Sequence, residues 1–364
     1  MEDLRSAGLI TTNKAAELLE CTVQHVRLLI REGRIEGVRA GRDWLALTDS
    51  IAAYDSERKA KPQLTAIKEP PQLETLFPDL EFAPAVNVAS VPQRSPFRYP
   101  GGKTWLIPLA RAWMASFPLG TTRLLEPFAG GAGISLAAVF ERFVELSELV
   151  ELDADVAVVW RVIFEGCGTQ LCDRIRTFRF NVDSVNEILQ SNPTEQVDQA
   201  FRTIIRNRAS RGGILAQGAG LVKTGEAGKG IASRWYPETL AKRILAIDQL
   251  RHQFRLTEGD GIRALQGSAE DRRTAHFVDP PYPVAGRRLY SHHELDHEAL
   301  FGAMQKCRGP LLATYDNNPF IESLARQFGF QTRLVPMKST HHERKLELLI
   351  SRDFSWLPES ATAR

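Results

Sequence analysis

Short apolar runs alternate with longer, helix-like segments along most of this 364-residue chain, from about residue 95 onward. Apolar runs bounded by turn residues predict buried strands, and the periodic segments between them predict helices. The strand-like runs lie at 123–126, 149–152, 254–257, 274–278, 311–314 and 346–351. Because parallel neighbouring strands need a crossover connection, this alternation predicts an α/β fold with a mostly parallel sheet covered by helices.

Three regions of different composition divide the chain. Residues 1–56 contain two helical patterns, the first at 13–20 with Thr12 as its N-cap, followed by two short strand-like runs around a turn. Residues 57–93 contain six scattered prolines and keep no period, which predicts a linker. Residues 94–364 carry the strand and helix alternation, with a helical insert at about 166–253.

The charge balance does not decide whether the chain binds nucleic acid. Lys and Arg number 46 against 44 Asp and Glu, and binding requires a local basic surface rather than a basic total. The chain shows neither a secretory leader nor an apolar run long enough to span a membrane. Its four cysteines are scattered, which predicts a cytoplasmic protein without a metal site.

Glycines cluster between a predicted strand and a predicted helix, at Gly130, Gly131 and Gly133. Small residues there let the backbone approach a ligand closely, although tight turns also use them. Asp153 ends the next strand, about twenty residues on, where dinucleotide-binding proteins place the acid that binds ribose. This spacing is typical of a site for an adenosine-containing cofactor. The other candidate, Gly101-Gly102-Lys103-Thr104, lacks the upstream glycine of a phosphate-binding loop, which excludes ATP binding there.

The segment Asp279-Pro280-Pro281-Tyr282 is the most specific signal in the chain. Two prolines cannot continue a strand, so the segment leaves the sheet in a rigid, extended form. The Asp279 carboxylate and the Pro280 carbonyl then offer two acceptors to an exocyclic amine, whose lone pair can attack an electrophilic methyl group. Tyr282 offers a flat face to an extruded base. A turn plugged by an aromatic ring is the structural alternative.

These segments resemble the Dam-like class of adenine-specific DNA methyltransferases, in its α motif order. The resemblance covers 95 to about 354 and is carried by PFRYPGGK, LLEPFAGGAG, VELDAD and DPPY. It implies a Rossmann-like methyltransferase sheet with a helical target-recognition insert, S-adenosylmethionine as cofactor, and Asp279, Pro280, Pro281 and Tyr282 as catalytic residues. The cofactor-binding residues that it implies are Tyr99, Lys103, Glu126, Phe128, Gly130, Gly133, Asp153, Asp260 and Asp279. Tyr99 stands where tryptophan is common.

The activity implied by this resemblance is site-specific methylation of adenine N6 in duplex DNA, with the target base flipped out of the stack. Methylation of cytosine N4 is an open alternative, because that amine presents the same two donors. A DNA-binding regulator with a degenerate methylase domain is another. From the sequence we expect no metal site and no association with a membrane. The sequence does not identify a restriction partner.

Two basic regions are candidate contacts for double-stranded DNA. In the insert, a basic helix end opens into a glycine-rich stretch, with Arg206, Arg208, Arg211 and Arg234 as the expected contacts. A solvated helix face is the alternative. Residues 1–56 resemble the winged helix-turn-helix of the excisionase/MerR-like class, through segments 12–19, 26–30, 33–35 and 41–44. This resemblance implies DNA contacts by Gln24, Arg27, Arg31, Arg39 and Arg42, with dimerisation as the alternative role.

Overall fold

The computed structural model describes residues 8–19, 23, 26, 29–30, 33–40, 43–60, 91–98, 102–215, 220–223, 225, 230–282, 295–338, 344–358 and 361. The chain divides into two compact units, Met1–Pro78 and Asp79–Arg364. The boundary falls within the stretch whose composition predicts a linker. Among the described residues, no helix has the length and apolar character needed to cross a membrane.

The N-terminal unit contains a three-stranded antiparallel sheet in which β3 (Asp43–Leu47) pairs with both β1 (Leu9–Thr11) and β2 (Gly37–Ala40). The helix α1 (Thr12–Leu18) follows β1 in sequence, and α2 (Thr48–Ala60) follows β3. A small core joins these elements to residues of the expected second helix, among them Val26, Leu29 and Ile30.

The N-cap of α1 differs from the one expected. The side chain of Thr11 accepts a hydrogen bond from the N–H of Lys14 at 3.3 Å, whereas Thr12 is buried as the first helical residue. The prediction that Thr12 caps this helix is therefore wrong by one position. Either threonine has the side-chain oxygen that a cap requires, so the local sequence does not distinguish them.

The larger unit contains a seven-stranded sheet in the order β6-β5-β4-β7-β8-β10-β9. The strands are β4 (Arg123–Glu126), β5 (Leu146–Glu151), β6 (Phe254–Glu258), β7 (Thr274–Val278), β8 (Leu311–Asp316), β9 (Gln331–Lys338) and β10 (Arg344–Ser351). The first five are parallel to one another, and β10 is antiparallel to both β8 and β9. The prediction of a mostly parallel, Rossmann-like α/β sheet is confirmed.

Helices cover both faces of this sheet. Leu124 and Leu125 are successive residues of β4, yet they belong to different hydrophobic clusters, as the alternation of side chains along a strand requires. The helices are α3 (Ile107–Ala115), α4 (Gly133–Phe140), α5 (Ala154–Phe164), α6 (Gly168–Thr177), α7 (Val182–Gln190), α8 (Gln196–Ala209), α9 (Pro237–Gln249), α10 (Gly261–Ser268), α11 (His297–Lys306) and α12 (Pro319–Gln327). Helices α6 to α9 fall in the predicted insert.

The order of the strands reverses beside β4. From β4 the chain passes to β5 and β6 on one side, and then returns to β7 and β8 on the other. Open α/β sheets bind ligands in the crevice outside the carboxyl ends of their strands, at such a reversal. Because Leu125 of β4 lies opposite His276 of β7, the loops that follow Glu126 and Val278 leave the sheet side by side.

Buried polar contacts tie the end of α8 to the segment at residues 95–98. The Asn207 side chain is fully buried, and its amide nitrogen donates to the carbonyl oxygens of Arg98 at 2.9 Å and Gly213 at 2.8 Å. Its amide oxygen accepts the N–H of Arg98 at 2.9 Å. The neighbouring Arg208 donates from its buried guanidinium to the carbonyl of Pro96, and burial lowers the pKa of Arg208 to about 9. The structure thus gives Arg208 a structural role instead of the expected contact with DNA.

Replacing Asn207 tests this attachment. In Asn207→Ala, one buried backbone group, at Gly213, and two partly buried ones, at Arg98, lose their partner, and each buried unsatisfied group costs about 1–3 kcal/mol. We expect the free energy of unfolding to fall by about 2–4 kcal/mol in urea titrations followed by tryptophan fluorescence, because part of the loss is relieved by relaxation. Asn192→Ala, at an exposed position, is the control and should change little. Equal stabilities of the two variants would contradict the attachment.

Candidate active site

The glycine loop between β4 and α4 is held by two neighbouring elements. Gly130 has a positive φ of 45°, and its N–H donates to Glu151 Oε2 at 2.8 Å. The carbonyl of Gly130 accepts a hydrogen bond from Trp160 Nε1 of α5 at 3.0 Å. A Cβ atom added at Gly133 would meet no atom within 4 Å, so the start of α4 borders open space.

Glu126 ends β4 inside the protein. Its side chain is 3% exposed, and Oε2 accepts the N–H of Ser135 at 3.0 Å. Burial raises the pKa of Glu126 to about 8; the hydrogen bonds of Ser135 oppose this shift, the charge of Asp279 adds to it, and Lys103 opposes it. The Glu126 carboxyl is therefore mostly protonated at neutral pH, which places a neutral acid at the base of the crevice.

Two aspartates begin helices along the same edge of the sheet. Asp153 caps α5 and Asp260 caps α10, and each uses Oδ1 to accept a backbone N–H at 2.9 Å and 3.0 Å respectively. Within the part of the chain that the structure describes, Oδ2 of each receives no hydrogen bond. A side chain at Gly261 would collide with the carbonyl of Pro127 and approach the ring of Phe128, so α10 begins directly against the glycine loop.

Asp279 follows β7 and is anchored through one oxygen. Lys103 Nζ lies 2.8 Å from Asp279 Oδ1, and Thr314 Oγ1 donates to the same oxygen at 2.9 Å. The hydroxyl of Tyr282 lies 3.4 Å from it. Oδ2 receives no hydrogen bond from the described residues. The carboxylate is thus fixed in orientation and keeps one oxygen for another donor.

Glu347 of β10 completes this cluster, although it was not among the site residues expected from the sequence. The side chain is buried, its Oε1 lies 3.3 Å from Lys103 Nζ, and it accepts a hydrogen bond from the hydroxyl of Tyr282. Burial raises the pKa of Glu347, and the charge of Lys103 acts against that rise. The available signal was the position of Glu347 as the single charged residue within the apolar run 346–350. Thr314, also missed, carries no such signal.

The ring of Tyr282 is already in contact with other side chains. It stacks on Tyr315 with ring centroids 5.7 Å apart and an angle of 24° between the ring planes. The ammonium group of Lys103 lies 5.1 Å from the centroid of the Tyr282 ring. From the sequence, an open aromatic face is expected at Tyr282. The structure instead shows a half-buried ring that already packs against Tyr315.

The expected site residues differ in how the structure places them. Those at the reversal of the sheet come together: Lys103 and Asp279 are paired, and the residues of the glycine loop adjoin Asp260. Arg206 forms an ion pair with Asp155 at 2.9 Å. Arg39 and Arg211 are exposed, and Arg234 is partly buried. The remaining expected residues lie outside the described part of the chain, namely Tyr99, Gln24, Arg27, Arg31 and Arg42.

No protein-family model and no curated protein sequence matches the chain. Some solved structures are similar to it in fold. The rRNA methyltransferase aviRa from Streptomyces viridochromogenes has 11% identity and a TM-score of 0.36, over 73% of this chain and 93% of that one. Precorrin-6y C5,15-methyltransferase from Geobacter metallireducens has 8% identity and a TM-score of 0.29, over 67% of this chain and 87% of that one. Spermidine synthase from Thermotoga maritima has 10% identity and a TM-score of 0.32, over 70% of this chain and 60% of that one. Scores this low transfer no activity to the chain.

The raised pKa of Glu126 predicts a specific dependence of stability on pH. The folded pKa of about 8 lies above the unfolded value of about 4.3, so this group stabilises the fold at low pH and loses that contribution as the pH rises through 8. Relative to Glu126→Gln, we expect the free energy of unfolding of the natural protein to fall between pH 5 and 8, by at most about 1.4 kcal/mol per pH unit.

Urea titrations of both proteins across this pH range provide the measurement. Glutamine keeps an oxygen that can accept the N–H of Ser135 but cannot titrate, so the difference between the two curves isolates Glu126. Curves that run parallel from pH 5 to 8 would show that Glu126 is ionised in the folded protein throughout.

Proposed function

We propose that this chain is an S-adenosylmethionine-dependent methyltransferase that acts on the N6 amine of adenine in duplex DNA. One observation carries the proposal: the glycine loop after β4 and the Asp279–Tyr282 segment after β7 leave the sheet side by side, where the order of the strands reverses. A site for an adenosine-containing cofactor and a pair of acceptors for an amine are thereby neighbours. Each motif alone also has a purely structural explanation, but their meeting at the ligand-binding edge favours a joint site.

The residues around the crevice fit S-adenosylmethionine by the chemistry of their donors and acceptors. Asp153 and Asp260 each keep one carboxylate oxygen, which suits the hydroxyl groups of a ribose and the amine of an adenine. The space beside Gly133 lets a ligand approach the backbone, and Glu126 lies at the base of the same loop. When bound, the cofactor supplies a methyl group carried on a positively charged sulfur.

The chain's own contribution to the reaction is positioning and electrostatics. Asp279 is held through Oδ1 by Lys103 and Thr314, so Oδ2 points a fixed acceptor at an incoming amine. A preorganised acceptor holds one N–H of the amine, keeps the lone pair available, and stabilises the positive charge that develops on nitrogen. Lys103 places one positive charge beside the carboxyl groups of Asp279 and Glu347.

The preference for adenine comes from the resemblance of the motif order, and cytosine N4 is the competing target because it offers the same donors. A base in duplex DNA must leave the stack to reach Asp279, at a cost of a few kcal/mol. Exposed arginines at Arg39 and Arg211 are suited to phosphate contacts. Arg206 can join them only by giving up its ion pair with Asp155.

Asp279→Ala tests the proposed chemistry. Removing the preorganised acceptor should lower the rate of methyl transfer from labelled S-adenosylmethionine to duplex DNA by about 100- to 1,000-fold, while binding of S-adenosylhomocysteine is still measurable. Asp173→Ala, on the exposed surface of α6, should keep full activity. Label on cytosine N4 in the natural protein would favour the alternative target. Label on RNA alone, or undiminished transfer by Asp279→Ala, would overturn the proposal.

The role of the N-terminal unit can be tested without touching the crevice. In the variant Arg27→Ala/Arg31→Ala/Arg39→Ala, we expect duplex affinity at low salt to fall by tenfold or more. The dependence of the binding constant on salt should weaken by about one unit of slope per lost phosphate contact. Fluorescence anisotropy with labelled DNA measures both quantities. Unchanged affinity together with an unchanged slope would leave dimerisation as the better explanation of this unit.

A further inference from the structure

Glu347 of β10 is a buried acid whose side chain receives two donors from the crevice. Its Oε1 lies 3.3 Å from the Nζ of Lys103 and accepts a hydrogen bond from the hydroxyl of Tyr282. Both donors also lie near Asp279, because Lys103 Nζ is 2.8 Å and the Tyr282 hydroxyl 3.4 Å from Oδ1. Glu347 and Asp279 are therefore alternative acceptors for the same two groups.

The strand pairing explains why an acid of β10 reaches the segment that follows β7. Glu347 lies opposite Asp316 of β8 in the antiparallel register, and Leu349 lies opposite Thr314. Opposite residues of an antiparallel pair share one face of the sheet, and so do alternate residues of one strand. The side chain of Glu347 therefore lies on the face from which Thr314 contacts Asp279.

The two acceptors compete for the single proton of the Tyr282 hydroxyl. A phenol donates one hydrogen bond, and hydrogen bonds between two oxygens are usually about 2.5–3.0 Å long. The separation of 3.4 Å from Asp279 is longer than this, so the hydroxyl donates chiefly to Glu347. Oδ1 of Asp279 is thereby left mainly to the donors of Lys103 and Thr314.

Loss of the acceptor at position 347 would release this proton. Asp279 Oδ1 lies close enough to receive it after a small rotation of the Tyr282 ring. One more donor on Oδ1 would stabilise the carboxylate and draw its charge away from Oδ2, which weakens the acceptor proposed for the amine. The rotation would also displace the ring on which an extruded base is expected to stack.

We propose that Glu347 is a positioning residue that holds the hydroxyl of Tyr282 away from Asp279, and so keeps the aromatic ring and the amine acceptor in place. The inference rests on the proposed function and deepens it by naming a residue that acts through the segment 279–282. The role needs an acceptor oxygen at position 347 rather than a negative charge. A carboxyl group offers such an oxygen in its ionised and its protonated form, and a glutamine side chain offers one as well.

Two substitutions separate the acceptor from the volume of the side chain. Glu347→Leu removes the acceptor and fits the apolar run 346–350, whereas Glu347→Gln keeps an oxygen. We expect kcat for methyl transfer to duplex DNA to fall about 100-fold in Glu347→Leu, the effect of a small misplacement of catalytic groups. It should fall no more than about fivefold in Glu347→Gln. Both variants should bind S-adenosylhomocysteine nearly as tightly as the natural protein, because Glu347 acts on the amine acceptor.

The hydroxyl of Tyr282 provides the decisive comparison. Adding Tyr282→Phe to Glu347→Leu removes the proton that would turn to Asp279, so the double variant should be about tenfold faster than Glu347→Leu alone. A role of Glu347 in stability alone predicts no such recovery. A double variant no faster than Glu347→Leu would overturn the inference, and so would a kcat of Glu347→Gln as low as that of Glu347→Leu.

Glu148→Leu is the matched control, because it makes the same substitution on another strand of the sheet. Glu148 of β5 is partly exposed and accepts a hydrogen bond from Thr257 Oγ1. This variant should keep the natural rate. Urea titrations of all variants show whether a lower rate reflects a smaller folded fraction. Undiminished methyl transfer by Glu347→Leu would also overturn the inference.

Crystal structures of the variants without cofactor give a readout that needs no activity. In Glu347→Gln the Tyr282 hydroxyl should still donate to residue 347, whereas in Glu347→Leu it should lie within about 3.0 Å of Asp279 Oδ1. A hydroxyl that keeps its position in Glu347→Leu, or turns to Asp316, would overturn the inference. If Glu347→Leu does not fold, Glu347→Gln decides: a displaced Tyr282 ring or a loss of rate beyond about tenfold would overturn it.

Failure of the proposed function would look different from failure of this inference. The natural protein would then neither bind S-adenosylhomocysteine nor transfer a methyl group to DNA. The position of the Tyr282 hydroxyl in the two crystal structures would still show whether Glu347 holds it away from Asp279.

Discussion

The reversal of strand order between β4 and β7 is the constraint on which the site depends. Two adjacent parallel strands send their chains to opposite sides, so the loops after them cannot cover each other and a crevice opens at their carboxyl ends. The glycine loop and the Asp279–Tyr282 segment are those two loops. β8 and β10 lie in the same half of the strand order as β7. Thr314 of β8 contacts Asp279, and Glu347 of β10 contacts Lys103.

More buried acidic side chains than basic ones lie around the crevice among the described residues. Glu126, Glu151 and Glu347 all have raised pKa values, chiefly because they are buried. Lys103 is the cation shared by Asp279 and Glu347. Strongly perturbed acids in a cleft are more common at functional sites than elsewhere, although structural networks also perturb pKa values. Here the same acids hold the backbone: Glu126 binds α4, and Glu151 binds the glycine loop and the start of α5.

Local patterns predicted the parts of the molecule that local physics determines. The strands at Arg123–Glu126 and Thr274–Val278 were predicted with their observed bounds, because apolar runs between turn residues mark them clearly. β9 was missed, since it is an edge strand that contains Pro336. The roles of Glu151, Glu347 and Asn207 could not be read from the sequence, because each depends on partners brought near by the fold. Arg208 was misassigned for the same reason. The sequence of a basic helix end is the same whether its arginines face solvent or a backbone carbonyl group.

The central claim is that the glycine loop and the Asp279–Tyr282 segment form one site that binds the methyl donor. A crystal structure of the chain with S-adenosylhomocysteine tests it most directly. The account predicts the ligand in the crevice between β4 and β7, with its ribose at Asp153 and its sulfur on the side of Asp279. A ligand bound elsewhere, or one that contacts the glycine loop while Asp279 stays out of reach of any substrate amine, would contradict it.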